Sequence, residues 1–433
     1  MTEALILFSM FAMIAIGLPI AVSILASALL GLWLLNGHLG FLNAALSIFD
    51  GATSFPLIAI PLFILAGALM NTGGISTRLI TFVSAMIGFV RGGLAMVHIG
   101  VSLFFAEISG SAVADAAATG SILIPEMRKR GYAPRYAAGV ISAAAAMGPI
   151  IPPSILFILL ASIANLSVGE LFIAGILPGF LMYFGLIGMS IFLAKRYNIP
   201  REPKASWEER KQKIKAGILP LGAPVIIIVT KVAGIATPTE AAAIVVAYTL
   251  IIGFFVYHDM TIRRLIDSLI NAAMTTAVIM MTVAFSQIFG QIAVLAGLGR
   301  LVQETLLMIS DNPYVLFLII NVMLLILGTF LDAMPLMLIL SPIFFPLMTS
   351  LGVDPIHFGL VMVFNLVLGM ITPPIGLNLF VTSGVAGMPM MSVVRAALPF
   401  LMILVVFLIM VTYIPFISTW LPNLVMGPEL ITK

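Results

Sequence analysis

The sequence predicts an all-α polytopic membrane protein made of two repeats of inverted topology, each with a re-entrant hairpin and a broken transmembrane helix. Three observations lead there. The 433 residues are 62% hydrophobic and 9% charged, with a mean hydropathy of +1.22, whereas a soluble domain carries about 25% charged residues. The runs Gly148-Pro149-Ile150-Ile151-Pro152-Pro153 and Gly369-Met370-Ile371-Thr372-Pro373-Pro374 both interrupt apolar stretches, 221 positions apart (148 to 369). The same register pairs Pro125 with Pro346, Gly131 with Gly352 and Pro134 with Pro355. Basic residues, finally, flank the apolar stretch 93–125 and are missing from 313–351 and its flanking loops.

Each break has a physical meaning. Proline removes a backbone donor and clashes with the preceding turn. In lipid, the freed backbone groups are tolerated only where protein or a water-filled cavity satisfies them. Corresponding interruptions in two halves point to a transporter's binding site.

Lys and Arg favour cytoplasmic loops. Arg128-Lys129-Arg130 with Arg135, the linker 195–215 and Arg263-Arg264 are therefore placed inside. Two apolar segments, 136–164 and 171–194, separate the first two clusters, and two more, 217–232 and 240–257, separate the second and third. Even numbers are what same-side clusters require. Residues 93–125, bounded by Arg91 and Arg128, would form a helix of about 50 Å against a ~30 Å hydrocarbon core. With Gly110, Ser111 and Asp115 near its middle, this stretch reads as a hairpin entering from the cytoplasm. Its partner, residues 313–351, has no Lys or Arg and centres on Gly328-Thr329-Phe330-Leu331-Asp332-Ala333-Met334-Pro335. It reads as a hairpin entering from outside. Broken spans follow each hairpin, at 136–164 and 357–385. Stretches 76–90 and 298–309 read as interfacial helices, and 4–35 as one tilted span or two short ones split near Gly17–Pro19. With no basic n-region or cleavage site, 4–35 is expected to remain as a span rather than act as a signal peptide.

The oxygen-rich candidates cluster at the breaks. Around the first are Ser109, Ser111 and Asp115 with backbone carbonyls near Gly148, Ile151 and Pro153. Around the second are Gly328, Thr329 and Asp332 with Gly369, Thr372 and Pro374. Small alkali cations take several hard oxygen donors, which unwound backbone and half-helix ends supply, and an intramembrane carboxylate is a functional hypothesis by default. One cation site per repeat is expected. Ser142-Ala143-Ala144-Ala145-Ala146 reads as helix packing. Thr237-Pro238-Thr239-Glu240 reads as a capping box. Glu107 stays open between cation pairing and packing, and His38, His98, His258 and His357 receive no role. Zero cysteines exclude disulfides and thiolate chemistry. Metalloprotease, nucleophile-elbow and Walker motifs are missing, so transport by this chain is expected to be gradient-driven. The net charge of +3 is small, and no nucleic-acid partner is expected.

Asn71-Thr72-Gly73-Gly74, the tract Glu107 to Asp115, Gly148 to Ser154, Ala236-Thr237-Pro238-Thr239-Glu240-Ala241-Ala242 and Thr372-Pro373-Pro374-Ile375-Gly376 together resemble the large membrane subunit of tripartite ATP-independent periplasmic (TRAP) transporters. The resemblance spans essentially the whole chain. It implies a multi-pass protein of the bacterial inner membrane that imports an organic acid, such as a C4-dicarboxylate, sialic acid or related sugar acid, coupled to Na⁺ and without an organic cofactor. It also implies two partners, a small membrane subunit and a periplasmic substrate-binding protein. The small subunit is expected to be a separate polypeptide, because the first apolar run begins so early. The family is similar in architecture to elevator-type ion transporters. A moving core at about 93–165 and 313–388 would slide in a scaffold at about 1–92, 171–310 and 390–433, within one integral membrane domain. Carried over as sodium positions are Ser109, Ser111, Asp115, Gly148, Ile151 and Pro153, and Gly328, Asp332, Gly369, Thr372 and Pro374.

Two rivals use the same residues. One is an ion channel through the unwound backbone. The other is an intramembrane aspartyl protease using Asp115 and Asp332, against which the small-residue hairpin contexts speak, as does Arg300 after Gly297-Leu298-Gly299.

Overall fold

The structure is a computed structural model and describes residues 2–36, 40–109, 112–199, 201, 206–232 and 234–427. All its regular elements are helical. The chain begins with α1 (Thr2–Ala15), α2 (Ile20–Asn36), α3 (Gly40–Thr53), α4 (Ala59–Thr72), α5 (Ile75–Ile87), α6 (Gly93–Ser109) and α7 (Ala112–Lys129). It continues through α8 (Pro134–Ala144), α9 (Ile155–Ala164), α10 (Val168–Arg196), α11 (Trp207–Gly217), α12 (Gly222–Val232) and α13 (Pro238–Ile251). The remainder holds α14 (Ile262–Leu295), α15 (Leu298–Ile309), α16 (Pro313–Gly328), α17 (Ala333–Ser350), α18 (Pro355–Gly369), α19 (Leu377–Ala386), α20 (Met390–Tyr413) and α21 (Phe416–Met426).

Local chemistry sets the boundaries. The N-terminal run is two helices, because Gly17 takes a φ of +91° just before Pro19, a conformation that glycine adopts freely. Proline opens α8, α13, α16 and α18 at the first turn, where its missing donor costs nothing. The capping box at α13 forms as expected. Glu240 N–H donates to Thr237 Oγ1 at 3.3 Å, and Thr237 N–H donates to Glu240 Oε2 at 2.7 Å. Thr237→Ala should cost about 1 kcal/mol, read as a lower unfolding temperature in detergent, with uptake by the folded protein unchanged. Part of the charge-rich linker is helix α11, begun by Ser206, whose side chain accepts from Glu209 N–H at 3.2 Å. Helix α14, which the sequence reading leaves unassigned between Arg264 and Leu298, is the longest span, at 34 residues.

The repeat is written into the backbone. Gly74 and Gly297 begin α5 and α15 at φ +73° and +76°. Gly131 and Gly352 turn the chain after α7 and α17 at +80° and +78°. Asn165 and Gly387 end α9 and α19 at +54° and +60°. The packing is reciprocal as well: α7 lies on α19 as α17 lies on α9, and α8 on α20 as α18 on α10. Between the turns at Gly131 and Gly352 the chain passes through the broken span α8–α9, α10, the bent pair α11–α12, α13 and α14. That odd number of crossings puts the two turns on opposite faces. Arg128, Lys129, Arg130 and Arg135 flank the first turn, whereas residues 349–355 hold no Lys or Arg. The repeats are inverted. Helix α15 meets α16 at 119°, which suits an interfacial helix leading into a hairpin.

Helices α2, α3, α4, α13 and α14 pack among themselves. The Asn71–Gly74 tract makes their inner corner. Thr72 Oγ1 and Ser268 Oγ lie 2.9 Å apart, and Arg78 Nη1 meets Asp259 Oδ2 at 2.6 Å while its guanidinium stacks 3.8 Å above the Tyr257 ring. Helices α10 and α20 hold the broken spans through equivalent bonds. Tyr136 Oη, in the first turn of α8, donates to the Ser190 carbonyl at 3.1 Å, and His357, in the first turn of α18, sets Nε2 3.2 Å from the Thr412 carbonyl. His357, given no role from sequence, is therefore an anchor, with Nδ1 also 2.7 Å from Ser418 Oγ.

Candidate functional site

Four half-helices end at the level of the two breaks. In the first break, α8 tightens into a 3-10 turn at Ala145–Met147. The chain then unwinds over 148–154, all buried. Ser154 closes the unwound stretch: its hydroxyl donates to the Pro149 carbonyl and accepts from Phe157 N–H at 3.3 Å, capping α9. Helix α10 presses on this stretch through two glycines. A Cβ at Gly175 would strike the Ile150 carbonyl, and one at Gly179 would sit 2.6 Å from Ile151 Cγ1. Among the described residues, no donor reaches the carbonyls of Gly148, Ile151 or Pro153.

The second break repeats the pattern with a direct contact to its hairpin. A Cβ at Gly369 would lie 2.6 Å from Gly328 Cα. Gly376 N–H donates to the Thr329 carbonyl at 2.9 Å, and Asn378 N–H to the Met370 carbonyl at 2.9 Å. The hairpin tip is thus stitched to the far side of the break. Among the described residues, the carbonyls of Gly328, Thr372 and Pro374 receive no donor, while that of Gly369 accepts Thr372 N–H at 3.0 Å. The position of Gly369 matters first for close approach. Pro374 and Ile375 are exposed, so this break opens to solvent where the first is sealed.

The two aspartates are not repeat equivalents. In the 221-residue register Asp332 matches Ser111, and Asp115 matches Leu336. Asp332 is the N-cap of α17, its Oδ1 accepting from Met334 N–H at 3.1 Å. Asp115 is buried in the first turn of α7, with Oδ2 3.5 Å from Ser102 Oγ on α6. Ser109 ends α6. Ser111, with Gly110, lies outside the described residues, as do His38 and the side chains of Ser109 and Glu107. Thr329 and Thr372 turn their hydroxyls back to their own helices, onto the Ile326 and Leu368 carbonyls at 2.8 and 2.7 Å, which leaves backbone as the free donor set. Among the described residues, no three His, Asp or Glu side chains gather as a metal cluster. What the arrangement offers is a set of hard carbonyl oxygens, the donor type that unwound backbone presents to alkali cations.

Sequence reasoning missed a buried amide chain behind the second hairpin. Asn365 Nδ2 donates to Asn321 Oδ1 at 2.8 Å, and Asn321 Nδ2 to Thr412 Oγ1 at 3.0 Å. Isolated asparagines in otherwise apolar helices were the available signal.

Comparison with known proteins agrees with this geometry. The family model described as tripartite ATP-independent periplasmic transporter, DctM component, matches residues 7–417. The chain is 39% identical over 455 residues to the C4-dicarboxylate TRAP transporter large permease protein DctM of Vibrio cholerae, covering 100% of both chains. It is 38% identical over 421 residues to the sialic acid TRAP transporter large permease protein SiaM of the same organism, covering 97% of this chain and 98% of the other. The crystal structure of the Alcanivorax borkumensis YdaH transporter shares the fold, with a TM-score of 0.66 over 99% of this chain and 100% of that one at 15% identity.

Proposed function

Because the chain belongs to the DctM-component family of tripartite ATP-independent periplasmic transporters, we propose that it is the large permease of a sodium-coupled, secondary active importer of an organic acid in the bacterial inner membrane. Its relatives are transporter permeases, and the protein is a multi-pass membrane permease, not an enzyme. The observation that carries the coupling is a set of carbonyls left without donors at each break, Gly148, Ile151 and Pro153 at the buried first and Gly328, Thr372 and Pro374 at the more open second, of which Ile151 with Thr372 and Pro153 with Pro374 are repeat-related. An unsatisfied buried carbonyl is costly, and a sodium ion removes that cost at the sealed first break, while at the second it takes the place of solvent.

In this reading sodium orders each hairpin tip against its broken helix, with Asp115 and Asp332 balancing charge. The completed site between the tips then takes an anionic substrate, helped by half-helix N-termini. The core at about 93–165 and 313–388 moves against the remaining frame, with α10 and α20 as its arms. A small membrane subunit completes the frame, and a periplasmic binding protein delivers substrate. Overall likeness does not select the organic acid, since DctM and SiaM of one organism are nearly equally similar to this chain.

Reconstitution with both partner proteins tests the proposal. Labelled C4-dicarboxylates and sugar acids should accumulate only under an inward sodium gradient, and the uptake should saturate. Accumulation indifferent to sodium, or an ohmic ion current, would overturn it.

A further inference from the structure

The repeat exposes one interface that breaks its own symmetry. Helix α9 packs on α18, and α19 packs correspondingly on α8. Past the breaks the register shifts by one, because the caps of α9 are Ser154 and Asn165 and those of α19 are Gly376 and Gly387. Leu160 therefore corresponds to Thr382, Leu156 to Asn378, and Val363 to Ser142. In one repeat Leu160 lies on Gly359, its Cδ2 2.8 Å from where a Cβ would stand. Transposed through the repeat, that contact sets Thr382 against Ala138 and Asn378 against Ser142 one turn further, consistent with the packing of α19 on α8.

An apolar trio in one half is thus a polar trio in the other. Ser142, Asn378 and Thr382 are each fully buried. Ser142 Oγ, both side-chain polar atoms of Asn378, and Thr382 Oγ1 have no hydrogen-bond partner. The same stripe of α19 continues to Val385, which with Ile141 meets the small residue Gly120 on α7. The groove is therefore formed by α7, α8 and α19. Buried polar groups without partners cost free energy and call for an explanation.

We propose that this groove is a third sodium site, distinct from the two carbonyl notches, with Asn378 Oδ1, Thr382 Oγ1 and Ser142 Oγ as ligands. The inference rests on the sodium-coupled reading above. All three oxygens are hard donors, as an alkali cation requires, and the nearest titratable ring is the buried His98 on α6, which lies against the Ile141 backbone beside Ser142. A sodium ion is smaller than water, which suits side chains packed this closely. Ser142 sits in the last turn of α8, whose carbonyl end favours a cation. The α19 N-terminus opposes it with a partial charge of its own. Because α8 and α19 belong to different repeats, an ion here ties the halves together on the cytoplasmic side of the breaks.

The test counts ²²Na⁺ bound to the purified full chain and follows the sodium dependence of uptake with the partner proteins. Thr382→Val keeps shape and removes the hydroxyl. It is expected to bind one sodium fewer and to need about tenfold more sodium for half-maximal uptake, the scale on which lost ligand-shell groups weaken metal sites. Ser142→Ala carries the same readout should the valine variant fold poorly. Unchanged ion counts and sodium dependence in both folded variants would overturn the third site and leave an ordered water in the groove. Asp332→Asn serves as the control. If it shifts sodium dependence while Thr382→Val does not, this inference alone fails, and if the unaltered protein binds no sodium the coupled reading fails with it.

Discussion

Gly369→Ala is expected to abolish uptake. The added methyl would stand 2.6 Å from Gly328 Cα, 2.7 Å from its carbonyl carbon and 3.0 Å from its oxygen. All three are backbone atoms, so no rotamer change relieves the clash. Overpacking of this kind costs about 1–3 kcal/mol, which a large membrane protein survives. The functional loss is larger, because the hairpin can retreat only by carrying the Gly328 carbonyl away from those of Thr372 and Pro374. Gly384→Ala on the next helix is the control, with nothing within 4 Å of its Cβ position. It should leave uptake intact and, by helix propensity, stabilise by up to about 1 kcal/mol. Sodium-driven uptake and unfolding temperature, measured on both purified variants, separate loss of the site from loss of the fold. Uptake near the natural rate by Gly369→Ala would show that the Gly328 contact is mere packing.

Asp332 has an observed role and a proposed one, which a pair of substitutions separates. Its carboxylate caps α17 through Met334 N–H at 3.1 Å, and in the proposed mechanism it also balances an ion's charge. Asparagine caps a helix about as well as aspartate, whereas alanine costs roughly 0.5–2 kcal/mol. Asp332→Asn should therefore keep the unfolding temperature but raise the sodium needed for half-maximal uptake by about tenfold, a 1.4 kcal/mol effect. Asp332→Ala should show the same sodium defect plus a lower unfolding temperature. Normal sodium dependence in the asparagine variant would reduce Asp332 to a helix cap. Asp115→Asn should weaken sodium dependence likewise, through the first site.

Much of the fold was legible because membrane insertion constrains sequence so strongly. Apolar length, proline position and the placement of Arg128, Lys129 and Arg130 suffice to find the spans, the breaks and the inversion. Gly131 and Gly352 were found as a pair from register alone, and both turn out to hold positive φ. Helix α11 was obscured because its charges masked its periodicity, and α21 because it follows α20 with only two residues between. The site was legible at its breaks and opaque beside them. Backbone carbonyls carry no residue signature, so Gly148, Ile151 and Pro153 could be named only through the interruption itself. Gly369 was named for its oxygen, yet the structure gives it a steric part, visible only once Gly328 lies against it. Asn378 and Thr382 carry no signal in the sequence, because one amide and one hydroxyl in an apolar helix look incidental until their repeat partners, Leu156 and Leu160, are set beside them.

The inverted repeat is the claim on which the rest stands, and single-cysteine labelling addresses it without prior mutagenesis, since the chain has no cysteine of its own. Lys129 and Ser350 are exposed next to the equivalent turns after α7 and α17. With a membrane-impermeant maleimide on spheroplasts, Ser350→Cys should label at once and Lys129→Cys only after permeabilisation. Labelling of both from the same side would contradict the inversion and remove the basis for two opposed ion sites.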